Sequence, residues 1–188
     1  MKQQIIDLVD EHFSLRKQVL ENADQLEKAA TAIIDCLKSK HKVLVAGNGG
    51  SAADSQHFVA ELVGRFKMER KGLPAIALTT DSSILTAVAN DYGFDRVFER
   101  QVEALCQEGD CFIGITTSGN SANIVGAIDA AKRLHARTIS LNGRDGGLLK
   151  GKADIEVLIQ AKSTARVQEA HILCIHIICE LVEGALFR

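Results

Sequence analysis

The stretch GITTSGNSANIVGAIDAA, residues 114–131, decides the fold because it leads from an apolar run into a helical pattern. The run CFIGIT, residues 111–116, predicts a buried strand, and the apolar spacing beyond it predicts a helix over about 121–134. The junction between them, residues 116–121, holds four hydroxyl side chains, one amide and one glycine. A strand that turns directly into a helix is the repeating unit of a parallel sheet covered by helices.

The hydroxyl-rich junction also predicts a ligand. Unpaired N–H groups at a helix N-terminus carry partial positive charge and attract anions. The hydroxyls of Thr116, Thr117, Ser118 and Ser121 add donors, and Gly119 permits a tight turn. We therefore predict that these residues form an anion seat, most simply for a phosphate. The alternative is a capped turn in which Ser118 or Ser121 starts the helix, but one hydroxyl would suffice for that.

A second corner, VLVAGNGGSAAD, occupies residues 43–54 and formally matches the dinucleotide pattern GxGxxA. That pattern requires an acidic residue about 20 positions further on. Here the candidate, Asp81, stands 34 positions after Gly47. No GK[ST] follows the glycines either, so the sequence predicts no nucleotide cofactor.

The remaining pattern alternates strands with helices. The predicted strands are 42–46, 75–78, 111–116, 138–142 and 154–159. The predicted helices cover about 51–65, 83–90, 97–107, 121–134 and 164–186, after two N-terminal helices, the second capped by Asn22 or Asp24. We predict the α/β class: a five-stranded parallel sheet flanked by helices, doubly wound and flavodoxin-like, with ligands beyond the carboxyl ends of the strands.

Composition limits the functional classes. With 188 residues, 46% apolar and 24% charged, the chain fits one globular domain: residues 1–40 for oligomer packing and 41–188 as the α/β core. A net charge of −2 gives no basic face for nucleic acid. Charges interrupt every long apolar stretch, so neither a signal peptide nor a membrane span is expected. Five cysteines without CxxC spacing predict reduced thiols and a cytoplasmic location.

Titratable residues follow the two corners. His57 and Glu61 are four residues apart, hence on one helix face, where they could share a metal or a proton-transfer task or form an ordinary surface pair. Gln168 and His176 lie on the last helix, about 80° and about 12 Å apart. His171 lies about 140° from His176, so the two histidines are expected in different surroundings. A core histidine satisfied by a neighbour is the ordinary explanation for either one, and the role of His171, beside the site or in the core, stays open.

Five motifs together are similar to a known family. AGNGGSAADSQHFVAELVGRF, ANDYGF, TTSGNSANI, GRDGG and ARVQEAHILCIHIICELVE closely resemble the sedoheptulose 7-phosphate isomerases, or phosphoheptose isomerases, of the sugar-isomerase (SIS) domain superfamily. The likeness runs in matching order from about residue 10 to residue 187. It implies a SIS domain, a three-layer sandwich, and a homotetramer with active sites near subunit interfaces.

The resemblance also implies an activity and a set of roles. The reaction would be conversion of sedoheptulose 7-phosphate to D-glycero-D-manno-heptose 7-phosphate, which begins ADP-heptose and lipopolysaccharide core synthesis. Phosphate would be held by Thr116, Thr117, Ser118 and Ser121. The sugar would be contacted by Asn48, Gly49, Gly50, Asn90 and Asp91. Proton transfer through an enediol(ate) would be carried by Glu61 and His176, with Gln168 close by.

Some members of the family bind zinc, through residues that match His57, Glu61, Gln168 and His176. Thr116 departs from the family pattern, where serine is common, but it keeps the hydroxyl. The alternative function is a related regulator that binds the replication initiator and lacks the residues matching Glu61 and His176. This sequence has both, which favours catalysis.

Overall fold

A computed structural model describes residues 1–188 and contains one sheet of five strands. The strands are β1 Val43–Gly47, β2 Ala75–Ala77, β3 Cys111–Thr116, β4 Arg137–Gly143 and β5 Ile155–Ile159. They lie in the order β2-β1-β3-β4-β5, and every neighbouring pair is parallel. The prediction of an α/β fold with a five-stranded parallel sheet is confirmed. Each predicted strand occurs, with ends shifted by one residue at most.

Eight helices surround the sheet. They are α1 Lys2–Ser14, α2 Arg16–Glu21, α3 Ala23–Lys38, α4 Gly50–Val63, α5 Ser82–Tyr92, α6 Val97–Leu105, α7 Ala122–Arg133 and α8 Thr164–Phe187. Short 3-10 turns lie at Phe94–Arg96 and Gly147–Leu149. The central strands β1 and β3 are buried along their whole length, as expected for strands covered on both faces.

Two apolar layers cover the sheet. On one face, Val43, Val45 and Ile113 pack with α3, α4 and α8. On the other face, Leu44 and Phe112 pack with α6 and α7. Alternate residues of one strand therefore belong to different layers, because successive side chains point to opposite faces.

The point where the chain reverses its direction of travel across the sheet lies between β1 and β3. From β1 the chain passes through α4 to β2 on one side, and from β3 it passes through α7 to β4 on the other. Gly47 at the end of β1 is in register with Ile115 near the end of β3. Ligands of open α/β sheets bind in the crevice at such a point, so both polar corners open onto the expected ligand position.

The N-terminal region differs from the prediction. The sequence pattern predicts two helices before β1, but the structure has three, because the chain turns at Leu15 and again at Asn22. Asn22 lies at the N-cap position of α3, yet its side chain caps nothing, so that prediction is wrong in its mechanism. Instead, the Asn22 amide accepts from the N–H of Leu158 at 3.1 Å and donates to its carbonyl at 3.0 Å.

Gln18 does the same one turn earlier, since its amide exchanges hydrogen bonds with the backbone of Gln160. β5 is an edge strand whose outer N–H and C=O groups have no strand partner. Two side-chain amides thus satisfy part of that edge, and they also protect it from pairing with another chain. The Asn22 side chain therefore hydrogen-bonds to β5, far away in the sequence, and not to the first turn of α3.

Helix α8 is long and apolar enough to cross a membrane by length and composition alone. Nine of its residues are buried, among them Val167, Cys174 and Ile178 in the layer with β1 and β3. Packing on the sheet accounts for its composition. Gln168 and His176, two of the polar residues that the sequence singled out, are only partly buried, whereas His171 is fully buried.

A buried ion pair ties α8 to the loop after α4. The Arg70 Nε donates to Glu183 Oε1 at 3.0 Å, and the two side chains are 2% and 4% exposed. Glu183 also accepts from the backbone N–H groups of Phe66, Lys67 and Met68. Burial alone would raise the pKa of Glu183, but these backbone donors and Arg70 outweigh it, so the pKa is lowered.

Glu183→Gln should therefore destabilise the fold by about 3–5 kcal/mol at pH 7, because it leaves the buried guanidinium uncompensated. The native carboxylate stabilises the fold above the ordinary glutamate pKa of 4.5, and this contribution is lost as the pH falls through the lowered folded-state value. Urea unfolding at pH 7 and about pH 3 should show the gap between wild type and variant narrowing in acid.

The matched control is Glu69→Gln, which removes an ion pair between Glu69 and Arg65, whose side chains are 92% and 60% exposed. It should change the free energy of unfolding by less than about 1 kcal/mol. Equal losses in the two variants would contradict the role given to Glu183.

Candidate active site

The hydroxyl-rich corner lies between β3 and α7. Thr116 Oγ1 and Ser121 Oγ are 3.0 Å apart and share a hydrogen bond. Ser121 is the N-cap residue of α7, but its side chain makes no capping bond. Ser118 Oγ accepts from the N–H of Asn120 at 3.2 Å, a contact within the turn. The capped-turn alternative is therefore wrong for both serines, and their hydroxyls gather at the N-terminus of α7.

The glycine-rich turn after β4 packs against residues 119 and 120 of this corner. Gly119 has φ +70° and lies so close to Gly146 that a Cβ would overlap the carbonyl there. The N–H of Leu149 donates to the Gly119 carbonyl at 2.9 Å, and the N–H of Leu148 donates to Asn120 Oδ1 at 3.1 Å. The GRDGG motif of the sequence thus fixes the shape of the corner, which only glycine at 119 can take.

The second corner, after β1, begins α4. Gly49 is the N-cap residue of this helix and has φ +56°. A Cβ on Gly50 would overlap the side-chain amide of Gln168, so glycine here lets α8 bring that amide against the start of α4. Gln168 therefore enters the crevice beside Gly49 and Gly50, two residues expected to contact the sugar.

Two asparagines join the two corners. Asn48 Nδ2 donates to Asn123 Oδ1 at 2.8 Å, and Asn123 Nδ2 donates back to Asn48 Oδ1 at 3.0 Å. Asn48 follows β1 and is half-buried, whereas Asn123 lies in the first turn of α7 and is 2% exposed. Sequence reasoning attached no role to Asn123. The one sequence feature that could have pointed to Asn123 is its position as a polar side chain among the apolar residues that begin α7.

Three titratable residues of α4 and α8, His57, Glu61 and His176, form a compact cluster, the His57 group. His57 Nε2 is 3.0 Å from Glu61 Oε1, and His176 Nε2 is 3.4 Å from His57 Nε2. One ligand atom from each residue lies within 4.8 Å of the others. Phe66 packs beside the His176 ring at a centroid distance of 5.7 Å. The prediction that His57 and Glu61 share a helix face is confirmed, and α8 adds His176 to them.

The donor set of the His57 group fits a zinc ion. Two imidazole nitrogens and one carboxylate oxygen are common zinc ligands, and three protein ligands leave a position open in catalytic sites. Asp54, one turn before His57 on α4, has its Oδ2 buried without a hydrogen-bond partner. Burial raises the pKa of Asp54, and nearby His57 opposes that shift. An unpartnered carboxylate oxygen beside the group marks an incompletely satisfied polar region.

The other histidine of α8 belongs to the core. His171 is fully buried, and its Nε2 donates to the Asn142 carbonyl at 3.0 Å. Burial lowers the pKa of His171 to about 4, although this hydrogen bond acts in the opposite direction. The two histidines therefore lie in different surroundings, as predicted, and His171 is neutral at pH 7.

Asn90 and Asp91 lie on α5 and make no contact with the His57 group within one chain. They are on the exposed helix α5, where Asn90 Nδ2 donates to Asp91 Oδ1 at 2.8 Å. No residue of α5 is buried, and the helix packs against α6 and the 3-10 turn at Phe94–Arg96. The contacts within one chain do not bring these two residues to the His57 group.

Comparisons with known proteins show which family the chain is similar to. The family model described as SIS domain matches residues 9–143. The chain is 51% identical over 187 residues to a phosphoheptose isomerase of Aliarcobacter butzleri, covering 99% of both chains. It is 52% identical over 188 residues to one of Geobacter sulfurreducens, covering 97% of this chain and 100% of the relative.

Solved structures give the same result. A phosphoheptose isomerase from Neisseria gonorrhoeae superposes with a TM-score of 0.91 at 41% identity, covering 97% of this chain and 98% of that one. One from Francisella tularensis superposes with a TM-score of 0.93 at 38% identity, covering 97% of each.

The hydroxyl corner yields a direct test. Ser121→Ala should leave the free energy of unfolding nearly unchanged, because Ser121 caps nothing, but it should weaken inorganic phosphate binding about tenfold through loss of a hydrogen bond to a charged group. Calorimetric titration with inorganic phosphate measures the affinity, and urea unfolding measures the stability.

Asp81→Ala is the matched control, since the Asp81 side chain does cap α5 by accepting from the N–H of Ile84 at 2.9 Å. It should cost about 1 kcal/mol of stability and leave phosphate affinity unchanged. A loss of stability without a loss of phosphate affinity in Ser121→Ala would refute the anion seat.

Proposed function

The chain belongs to the SIS-domain family and, within it, to the phosphoheptose isomerases, and from this premise we propose that it converts sedoheptulose 7-phosphate to D-glycero-D-manno-heptose 7-phosphate. It is a sugar-phosphate isomerase, an enzyme that interconverts a ketose and an aldose. The alternative, a regulator that binds the replication initiator, is not supported by the relatives.

The observation that carries the proposal is the adjacency of a carboxylate and two imidazoles on α4 and α8, the two helices that also meet where Gln168 lies against Gly50. Turning a ketose into an aldose removes a proton from C1 and adds one to C2 through an enediol(ate). One group must take the carbon proton while a second moves protons between the two oxygens. Glu61 and His176, which both contact His57, supply a carboxylate and an imidazole for these tasks.

The other residues position the substrate. Phosphate binding belongs to Thr116, Thr117, Ser118 and Ser121 at the N-terminus of α7. The sugar chain would run past Asn48, Gly49 and Gly50, with the Gln168 amide beside them. Since the reacting carbons and the phosphate are at opposite ends of the heptose, a substrate bound by its phosphate at α7 would have to extend C1 and C2 to the His57 group.

A metal fits this scheme as a further element. His57, Glu61 and His176 would hold zinc and leave a position open, at which a bound ion would polarise the substrate carbonyl. Gln168, the fourth ligand that the family resemblance implies, has its amide against Gly50 at the start of α4 and is not part of the His57 group. Glu61 then has two tasks, as ligand and as proton carrier. We propose one zinc per subunit and no nucleotide cofactor.

A homotetramer is the assembly we propose. Helix α1 has no buried residue, and its Ile5, Leu8, Val9 and Phe13 are between 46% and 66% exposed. Such a continuous apolar face favours contact with another copy.

Asn90 and Asp91 on exposed α5 would then serve a site shared between subunits. We propose a cytoplasmic enzyme of heptose synthesis for lipopolysaccharide.

Glu61→Ala and His176→Ala should each lower kcat by at least about 100-fold, the contribution of one positioned acid or base. Phosphate affinity should stay within about twofold of wild type, because the anion seat is at the start of α7. Product formation from sedoheptulose 7-phosphate gives kcat, and calorimetry with inorganic phosphate gives the affinity.

The control is Glu180→Gln, one turn beyond His176 on α8, whose carboxylate pairs with Lys67 at 2.8 Å on the surface. It should retain the wild-type rate. Wild-type rates in both alanine variants would eliminate Glu61 and His176 as the acid/base pair.

A further inference from the structure

The reciprocal amide pair between Asn48 and Asn123 joins the two polar corners of the crevice. Asn48 belongs to the corner after β1, whose helix α4 lies on one face of the sheet. Asn123 belongs to α7 on the other face. Beyond the strand pairing itself, the two hydrogen bonds of this pair are the only ones that join the two corners.

The hydrogen-bond inventory distinguishes the two partners. A side-chain amide has two N–H donors and one carbonyl oxygen, and the pair uses one N–H and the oxygen of each residue. Each amide therefore keeps one free N–H. Asn48 is half-buried at the crevice, so its free N–H is available to a ligand, whereas Asn123 is 2% exposed and makes no other side-chain hydrogen bond.

Asn123 therefore acts through its partner. Without it, the Asn48 side chain could rotate or exchange the positions of its oxygen and nitrogen, and the corner after β1 would lose its side-chain hydrogen bonds to α7. A buried amide left without its partner is costly, so the pair holds a single arrangement in the folded protein.

We propose that Asn123 is a positioning residue: it fixes the orientation of the Asn48 amide and the spacing between the anion seat and the His57 group. The inference rests on the proposed function, because that spacing matters only if one substrate spans both places. A substrate held at its phosphate end reaches the His57 group only when the spacing matches its length, and errors of about 1 Å can cost about 100-fold in rate.

A double-mutant cycle tests the proposal. The variants are Asn48→Ala, Asn123→Ala and the double variant, each assayed for kcat/KM with sedoheptulose 7-phosphate and for inorganic phosphate affinity. Asn123→Ala should lower kcat/KM about tenfold, mainly through kcat, while phosphate affinity stays within about twofold. Because Asn123 acts through Asn48, the double variant should match Asn48→Ala within about twofold.

Asn123→Asp provides a second variant that keeps the side-chain shape, should Asn123→Ala fail to fold. An aspartate can accept from Asn48 Nδ2 but cannot donate to Asn48 Oδ1, so kcat/KM should fall in the same direction. The free energy of unfolding of each variant is measured alongside, to separate lost stability from lost positioning.

The outcomes are distinct. Multiplicative losses in the double variant, or an unchanged kcat/KM in Asn123→Ala and Asn123→Asp, would overturn the proposal and leave the isomerase assignment intact. A fall in phosphate affinity equal to the fall in kcat/KM would also overturn it, since that result means a damaged seat. A wild-type protein without turnover would overturn the proposed function and this assignment with it.

Discussion

The parallel pairing of β1 with β3 is the constraint on which the candidate site depends. It places the carboxyl ends of the two strands side by side, with Gly47 in register with Ile115. Each strand then leads into a helix on a different face, so two helix N-termini flank one crevice. Partial positive charge and unpaired N–H groups from both helices are concentrated there before any side chain contributes.

Helix α8 links the stability of the fold to its chemistry. One side of it, including Val167, Cys174 and Ile178, fills the apolar layer over β1 and β3. Its other residues place the Gln168 amide against Gly50 and the His176 ring against His57. The same helix cannot shift to suit the site without disturbing the core, since interiors are close-packed. The His57 group is therefore held by the packing of the whole layer.

The sequence was sufficient for the sheet and for the two corners. Buried parallel strands are continuous apolar runs, and the polar residues at 48–50 and 116–121 interrupt the pattern where those runs end. The sequence could not predict that Asn22 hydrogen-bonds to the edge strand β5 and not to its own helix. Nor could it predict the pairing of Asn48 with Asn123, which are 75 residues apart. Nor could helical spacing bring His176 to His57, because that contact depends on how α4 packs against α8, 119 residues along the chain. Sequence patterns predict only the geometry of nearby residues, so they could not predict these contacts, which join residues far apart in the sequence.

The most direct test of the central claim is an NMR time course of sedoheptulose 7-phosphate with the purified protein in D2O. We expect an aldoheptose 7-phosphate that carries deuterium at C2, because the enediol(ate) is protonated there by a group that exchanges with solvent. Absence of any conversion, with or without added zinc, would contradict it.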